Sequence, residues 1–105
     1  MKKQEKIFNS IKSLVTQAEP KSKVILYGSY ARGDQRKDSD IDLLILVDKK
    51  KVGWEDEKRI TYPLYGWGFD IGKIISTLVI TKKDWENKYC ITPLYENIKR
   101  EGIEL

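Results

Sequence analysis

The sequence predicts an α/β (α+β) fold on three observations: apolar residues at helical spacing near the start, three short β-rich runs, and a Thr-Pro to Gly bracket framing a helix near the end. A chain of 105 residues with 40% hydrophobic and 34% charged content falls in the range of one globular domain, expected over residues 1–105. Folding at this length buries about 60 to 65% of the unfolded surface, which suffices for one core.

Ile7, Ile11, Leu14, Val15 and Ala18 recur at helical spacing, so residues 4–18 read as an amphipathic helix that stops before Pro20. Val24 to Tyr27 is a short apolar strand closed by Gly28, and Ser29 to Arg32 reads as one helical turn ended by Gly33. The polar loop from Asp34 to Ser39 leads into a second strand, Ile41 to Val47. Its apolar residues fall at both parities beyond the first few positions, so both faces are expected to be covered. Glu55, Asp56 and Glu57 suit the N-terminus of a helix over 54–67, which Pro63 and the glycines at 66 and 68 are expected to kink or end. Ile74 to Ile80 makes a third β-rich run, and Thr92, Pro93 and Gly102 supply the N-cap, first position and stop of a last helix.

Composition removes several kinds of chemistry. Without histidine there is no Ser-His-Asp or Cys-His catalysis and no histidine-ligated metal. The lone Cys90 allows neither an intramolecular disulfide nor a cysteine zinc cluster, which suits a reducing cytoplasm. Met1-Lys2-Lys3 runs into Gln4, Glu5 and Lys6 rather than an apolar signal segment, and no stretch approaches the ~20 apolar residues of a membrane span. A cytoplasmic protein with no membrane contact is expected. The net charge of +4 mildly favours anionic partners without naming one.

Chemistry is left to hydroxyls, carboxylates, lysines and oxygen-ligated metals, and one tract concentrates them. Gly28 and Ser29 end a strand and open a helical turn, where backbone N–H groups converge on an anion and glycine permits close approach. Asp40 and Asp42, one residue apart at a strand entrance, project from the same face. Their mutual repulsion is relieved by a hard cation such as Mg²⁺, held by one or two carboxylates together with substrate phosphates. Either pair alone is also an ordinary turn or strand entrance; the combination GSYARGDQRKDSDIDLLI is expected by chance in about one chain per thousand.

Gly28-Ser29, ten intervening residues and Asp40-x-Asp42 on a hydrophobic strand resemble the signature of the minimal nucleotidyltransferases of the DNA polymerase beta superfamily. The Ala31-Arg32-Gly33 and Ser39 to Leu43 contexts match as well, and the pattern from Trp54 to Leu105 is similar to short bacterial members. The resemblance implies the nucleotidyltransferase fold, a small mixed β-sheet flanked by helices. It also implies a nucleoside triphosphate gripped at Gly28 and Ser29, two Mg²⁺ ions on Asp40 and Asp42, and a third acid on the next strand. Asp70, the only acid between Arg59 and Ile80, is assigned that role at the edge of the third β-rich run; Asp84 reads better as a helix-start residue. Arg32, Arg36 and Lys37 lie between the phosphate turn and the carboxylates, placed to neutralise the β and γ phosphates.

The expected reaction is in-line attack of an acceptor hydroxyl on the α-phosphorus of a nucleoside triphosphate, ATP by preference, with pyrophosphate leaving. The alternative is a nucleotide-binding, antitoxin-like or regulatory module that acts through its interface. The resemblance implies a separate small helical partner of the HEPN type for either reading. Direct nucleic-acid binding is not expected: Lys49-Lys50-Lys51 follows the far end of the Asp40 strand and reads as a solvated loop, and Trp54, Trp67 and Trp85 are assigned to no base.

Overall fold

The structure, a computed structural model, describes residues 3–105. Helix α1 (Lys3–Ala18) is followed by strand β1 (Ser22–Tyr27), the single turn α2 (Ser29–Arg32), strand β2 (Ile41–Val47), helix α3 (Trp54–Ile71) and strand β3 (Ile75–Thr81). Helix α4 (Lys82–Asn87), a 3-10 turn (Tyr89–Ile91), helix α5 (Pro93–Glu101) and the short strand β4 (Ile103–Glu104) complete the chain.

The strands form one mixed sheet in the order β3-β2-β1-β4. β1 is antiparallel to both β2 and β4, whereas β2 and β3 run parallel. A parallel pair needs a long connection, and α3 supplies it. The small mixed sheet flanked by helices is therefore observed as expected.

β2 is buried on both sides, as its two-parity apolar run predicts. Ile41, Leu43, Ile45 and Val47 face α1 and α3, where they meet Ile11, Val15, Ile60 and Leu64. Leu44 and Leu46 face the other way, toward Ile80, Trp85 and Ile98 under α4 and α5. Each such side chain, fully buried, contributes about 1.5 to 3 kcal/mol.

The end of α1 and the start of α3 are tied by an ion network rather than by apolar contact alone. Lys49 Nζ lies 2.9 Å from Asp56 and 3.5 Å from Glu19, while Arg59 lies 2.9 Å from Glu19 and 3.1 Å from Asp56. Arg59 also donates to the Ala18 carbonyl. Hydrogen bonds from Lys49, from the Gly53 N–H and from Arg59 hold the Asp56 carboxyl down at about 2. The first lysine of the Lys49 to Lys51 run is thus engaged, not simply solvated.

One expectation is corrected. α3 does not end near Pro63 or at residue 67 but continues to Ile71. Pro63 sits on the exposed side, so the Arg59 carbonyl that loses its donor is on a residue open to water, while Ile60, Leu64 and Gly68 keep the opposite side buried. Gly68 is a packing residue: a Cβ there would lie 2.7 Å from Ile75 Cγ1 and 2.9 Å from the Lys73 carbonyl. The helix stops instead at Gly72, a left-handed cap at φ 74°.

The last helix has the anticipated N-cap, with Thr92 Oγ1 accepting from the Tyr95 N–H at 3.2 Å. β4 and most of α4 are additions the sequence pattern does not announce. Trp85 is core and Trp67 packs against the core, whereas Trp54 is exposed beneath the Lys58 ammonium. Among the described residues no helix is long and apolar enough to cross a membrane.

Candidate nucleotide and metal site

Three strand ends meet at one edge of the sheet. β1 arrives with Tyr27 opposite Asp42, and β3 departs with Ser76 opposite the same Asp42. Residues paired across a ladder share a face, so Tyr27, Asp42 and Ser76 stand side by side, with Asp40 two residues back on that face. Ser76 Oγ donates a long hydrogen bond, 3.4 Å, to Asp40 Oδ2. Deeper along the same face Leu44 and Leu46 are covered by α4 and α5, and the carboxylates lie where that cover ends.

Gly28 turns the chain out of β1 with φ 75° and ψ −154°, a conformation open essentially to glycine. An ideal Cβ built there falls on Asp42 Oδ2, so the carboxylate lies directly against the backbone of the turn. The Ala31 and Arg32 N–H groups both close onto the Gly28 carbonyl at 3.1 Å, and Gly33 stops the turn at φ 78°. The N–H groups of Ser29 and Tyr30 precede these bonds and remain available. Among the described residues the Ser29 hydroxyl has no protein partner.

Burial first, and then the Asp40 charge, push the Asp42 carboxyl above the ordinary carboxylate range; Arg32 acts in the opposite direction. Burial and then Asp42 likewise raise the Tyr27 phenol. Arg32 is itself held by Asp34 at 3.3 Å and by Glu101 at 3.1 Å, which links α2 to the end of α5.

The sequence-derived site residues do not all converge. Gly28, Ser29, Asp40 and Asp42 come together, and Arg32 is the cation whose charge reaches Asp42. Arg36 and Lys37 instead border a cavity of about 240 Å³ beside α1, with Phe8, Tyr30, Gln35 and Lys73. Asp70 is corrected: it lies exposed in the last turn of α3, not at the edge of a strand, because the helix runs past Pro63. No group of three or more Asp, Glu, Cys or His side chains gathers among the described residues. Asp84 is elsewhere, capped by Thr81 at the far end of β3. Sequence reasoning missed Ser76 and Tyr27. The only hint of Ser76 was a polar break inside an apolar run, and only the inter-strand register shows what that break stands beside.

Two carboxylates on one face, one of them partly buried and under repulsion, with a hydroxyl beside them, make an oxygen-only donor set suited to a hard divalent cation. The glycine turn packs directly against the Asp42 carboxylate, so an anion bound at the turn and a cation bound at the carboxylates would be neighbours.

The sequence profile of the nucleotidyltransferase domain matches residues 4–102. The chain belongs to this family. Within it, a protein of Methanocaldococcus jannaschii that bears the name protein adenylyltransferase is 43% identical over 84 residues, 79% of this chain and 77% of the relative. The structure of a minimal nucleotidyltransferase aligns with a TM-score of 0.66 at 25% identity, over 96% of this chain and 94% of the other. A toxin-antitoxin crystal structure with AMP-PNP shares the fold, with a TM-score of 0.67 at 20% identity over 91% of this chain and 69% of that one. The nucleotidyltransferase is thus of the minimal type, and its Gly28 to Asp42 tract is the part whose geometry calls for chemistry.

Proposed function

We propose that this nucleotidyltransferase moves a nucleoside monophosphate, AMP by preference, from a nucleoside triphosphate to a hydroxyl on a partner protein in the cytoplasm. The observation that carries the reading is the seating of the Asp42 carboxylate against the bare backbone of Gly28, with Asp40 on the same face. This brings an anion-binding turn and a cation-binding pair into contact. The name borne by the M. jannaschii relative supports a protein acceptor, and the AMP-PNP in the toxin-antitoxin neighbour supports an adenine nucleotide as donor.

In this mechanism the Ser29 and Tyr30 N–H groups and the Ser29 hydroxyl bind the outer phosphates. Asp40 and Asp42 would hold the two Mg²⁺ ions that the proposal requires, and Arg32 offsets charge from the side of α2. Mg²⁺ held there would supply neutralisation of the triphosphate and a lowered pKa for the attacking hydroxyl. The hydroxyl oxygen forms a bond to the α-phosphorus, the bond to the bridging oxygen breaks, pyrophosphate leaves and the hydroxyl proton passes to solvent base. Arg36 and Lys37 act at longer range by raising the local concentration of the anion. Asp70 has no part in this machinery.

A second reading, an antitoxin-like module that binds nucleotide and a small helical HEPN-type partner without turnover, is favoured by one observation: among the described residues no third acid gathers with the two carboxylates. ATP labelled at the α-phosphorus, incubated with Mg²⁺, the protein and a candidate partner, distinguishes the two. Transfer of α-label but not γ-label to the partner, abolished by Asp42→Asn, is expected. Stable partner binding with no label transferred favours the second reading.

A further inference from the structure

We propose that Ser76 makes the carboxylate pair a two-acid centre that takes up a divalent cation only together with a triphosphate, an inference that rests on the nucleotide site argued above. The two residues flanking Asp42 on its own face are Tyr27 from β1 and Ser76 from β3. Neither carries charge at neutral pH, and Ser76 Oγ spends its proton on Asp40 Oδ2. Among the described residues no further acid joins the pair.

Mg²⁺ requires an octahedral set of oxygens and gives up its waters reluctantly. Two carboxylates and a neutral hydroxyl offer too few charged ligands to displace those waters alone. Triphosphate oxygens arriving at Gly28 and Ser29 supply the missing charge, so cation occupancy follows nucleotide occupancy. The serine also spares the empty site. An acid at position 76 would place a third negative charge opposite Asp42, on the face that Asp40 already shares. Ser76 is a positioning residue: it offers Asp40 a weak hydrogen bond while keeping the charge of the centre low.

Mn²⁺ held by the protein, read as the excess of Mn²⁺ on the protein side of an equilibrium dialysis with AMP-PNP at the same free concentration on both sides, tests this directly. Wild-type protein should bind Mn²⁺ about tenfold or more tightly with AMP-PNP than without it. Ser76→Asp should raise the nucleotide-free affinity about tenfold, lower the melting temperature of the cation-free protein, and recover that loss when Mn²⁺ is added. Ser76→Cys, closer in size, provides a second route: Cd²⁺ should slow alkylation of the introduced thiol without nucleotide, while the native thiol of the wild type, Cys90, is unaffected. Equal wild-type affinity for Mn²⁺ with and without AMP-PNP overturns the inference. So does wild-type behaviour of both folded variants. Failure of the wild type to hold Mn²⁺ even with AMP-PNP overturns the nucleotide site itself, and is recognisable as such because the variants are not needed to see it.

Discussion

The two faces of β2 are built from one seven-residue run and differ in a single respect. On the α1 and α3 side every alternate residue from Ile41 to Val47 is apolar and completely covered. On the α4 and α5 side the series begins with Asp40 and Asp42 and becomes apolar only at Leu44. The covering helices on that side are shorter, six and nine residues against sixteen and eighteen, and they leave the strand entrance open. A closed face thus supplies the stability that lets the open face keep a partly buried carboxylate under repulsion. Site and core are alternate residues of one strand.

The comparison breaks most visibly if the closed face is hollowed. Leu43→Ala should cost about 2 to 5 kcal/mol of unfolding free energy, measured by urea titration, because it leaves a cavity between α1, α3 and the sheet. Gly28→Ala comes next, at about 1 to 3 kcal/mol, since alanine is strained at this backbone conformation and its methyl collides with Asp42. Unlike Leu43→Ala, it should abolish Mg²⁺-dependent ATP binding even in whatever fraction remains folded, as calorimetric titration will show.

Asp42→Asn sharpens the contrast in the opposite direction. A carboxyl raised in the folded state contributes stability below its unfolded value, and that contribution is lost as pH rises through the folded one. At neutral pH the native site therefore carries a penalty. The asparagine variant should melt at the same temperature as wild type or slightly above it, yet lose the added stability that Mg²⁺ and ATP confer on the wild type. A clear fall in melting temperature without ligand would assign Asp42 to structure instead of binding.

The smallest effect lies far from the site. With the Asp56 carboxyl held at about 2, its ion pairs with Lys49 and Arg59 contribute fully above the ordinary carboxylate range and are lost as pH falls from about 4 toward 2. Asp56→Asn should flatten that part of the stability profile while leaving the neutral melting temperature almost unchanged, because the pair is exposed to solvent.

How much of this was legible in the sequence depends on how local each signal was. β2 is found to the residue because its signal is its own apolar run, and α5 because Thr92, Pro93 and Gly102 act on their immediate neighbours. The Gly28 to Asp42 cluster was legible as a motif with fixed spacing. The second half of α3 was misread because proline and glycine carry opposite meanings by side: Pro63 is harmless facing water, and Gly68 is required where the helix touches Ile75. That error placed Asp70 on a strand. Ser76 was out of reach for a different reason, since its role is set by a register between segments 34 residues apart, as the pairing of Asp42 with Ser76 shows.

The pairing of β4 with β1 bears on the order in which the sheet assembles. Ile103 and Glu104 cover Leu26 and Ile25, the Leu105 N–H donates to the Val24 carbonyl at 2.8 Å, and Lys12 reaches the Leu105 carbonyl across 93 residues of sequence. During synthesis, β1 therefore emerges before β2 and β3 and gains its outer neighbour only after both. Until residues 103–105 leave the ribosome its outer row of backbone donors and acceptors stays unpaired, which is the condition under which strands of separate nascent chains find one another. These three residues act as an edge guard that arrives only after β2 and β3, and their long separation in sequence from β1 makes their closure a slow step of folding.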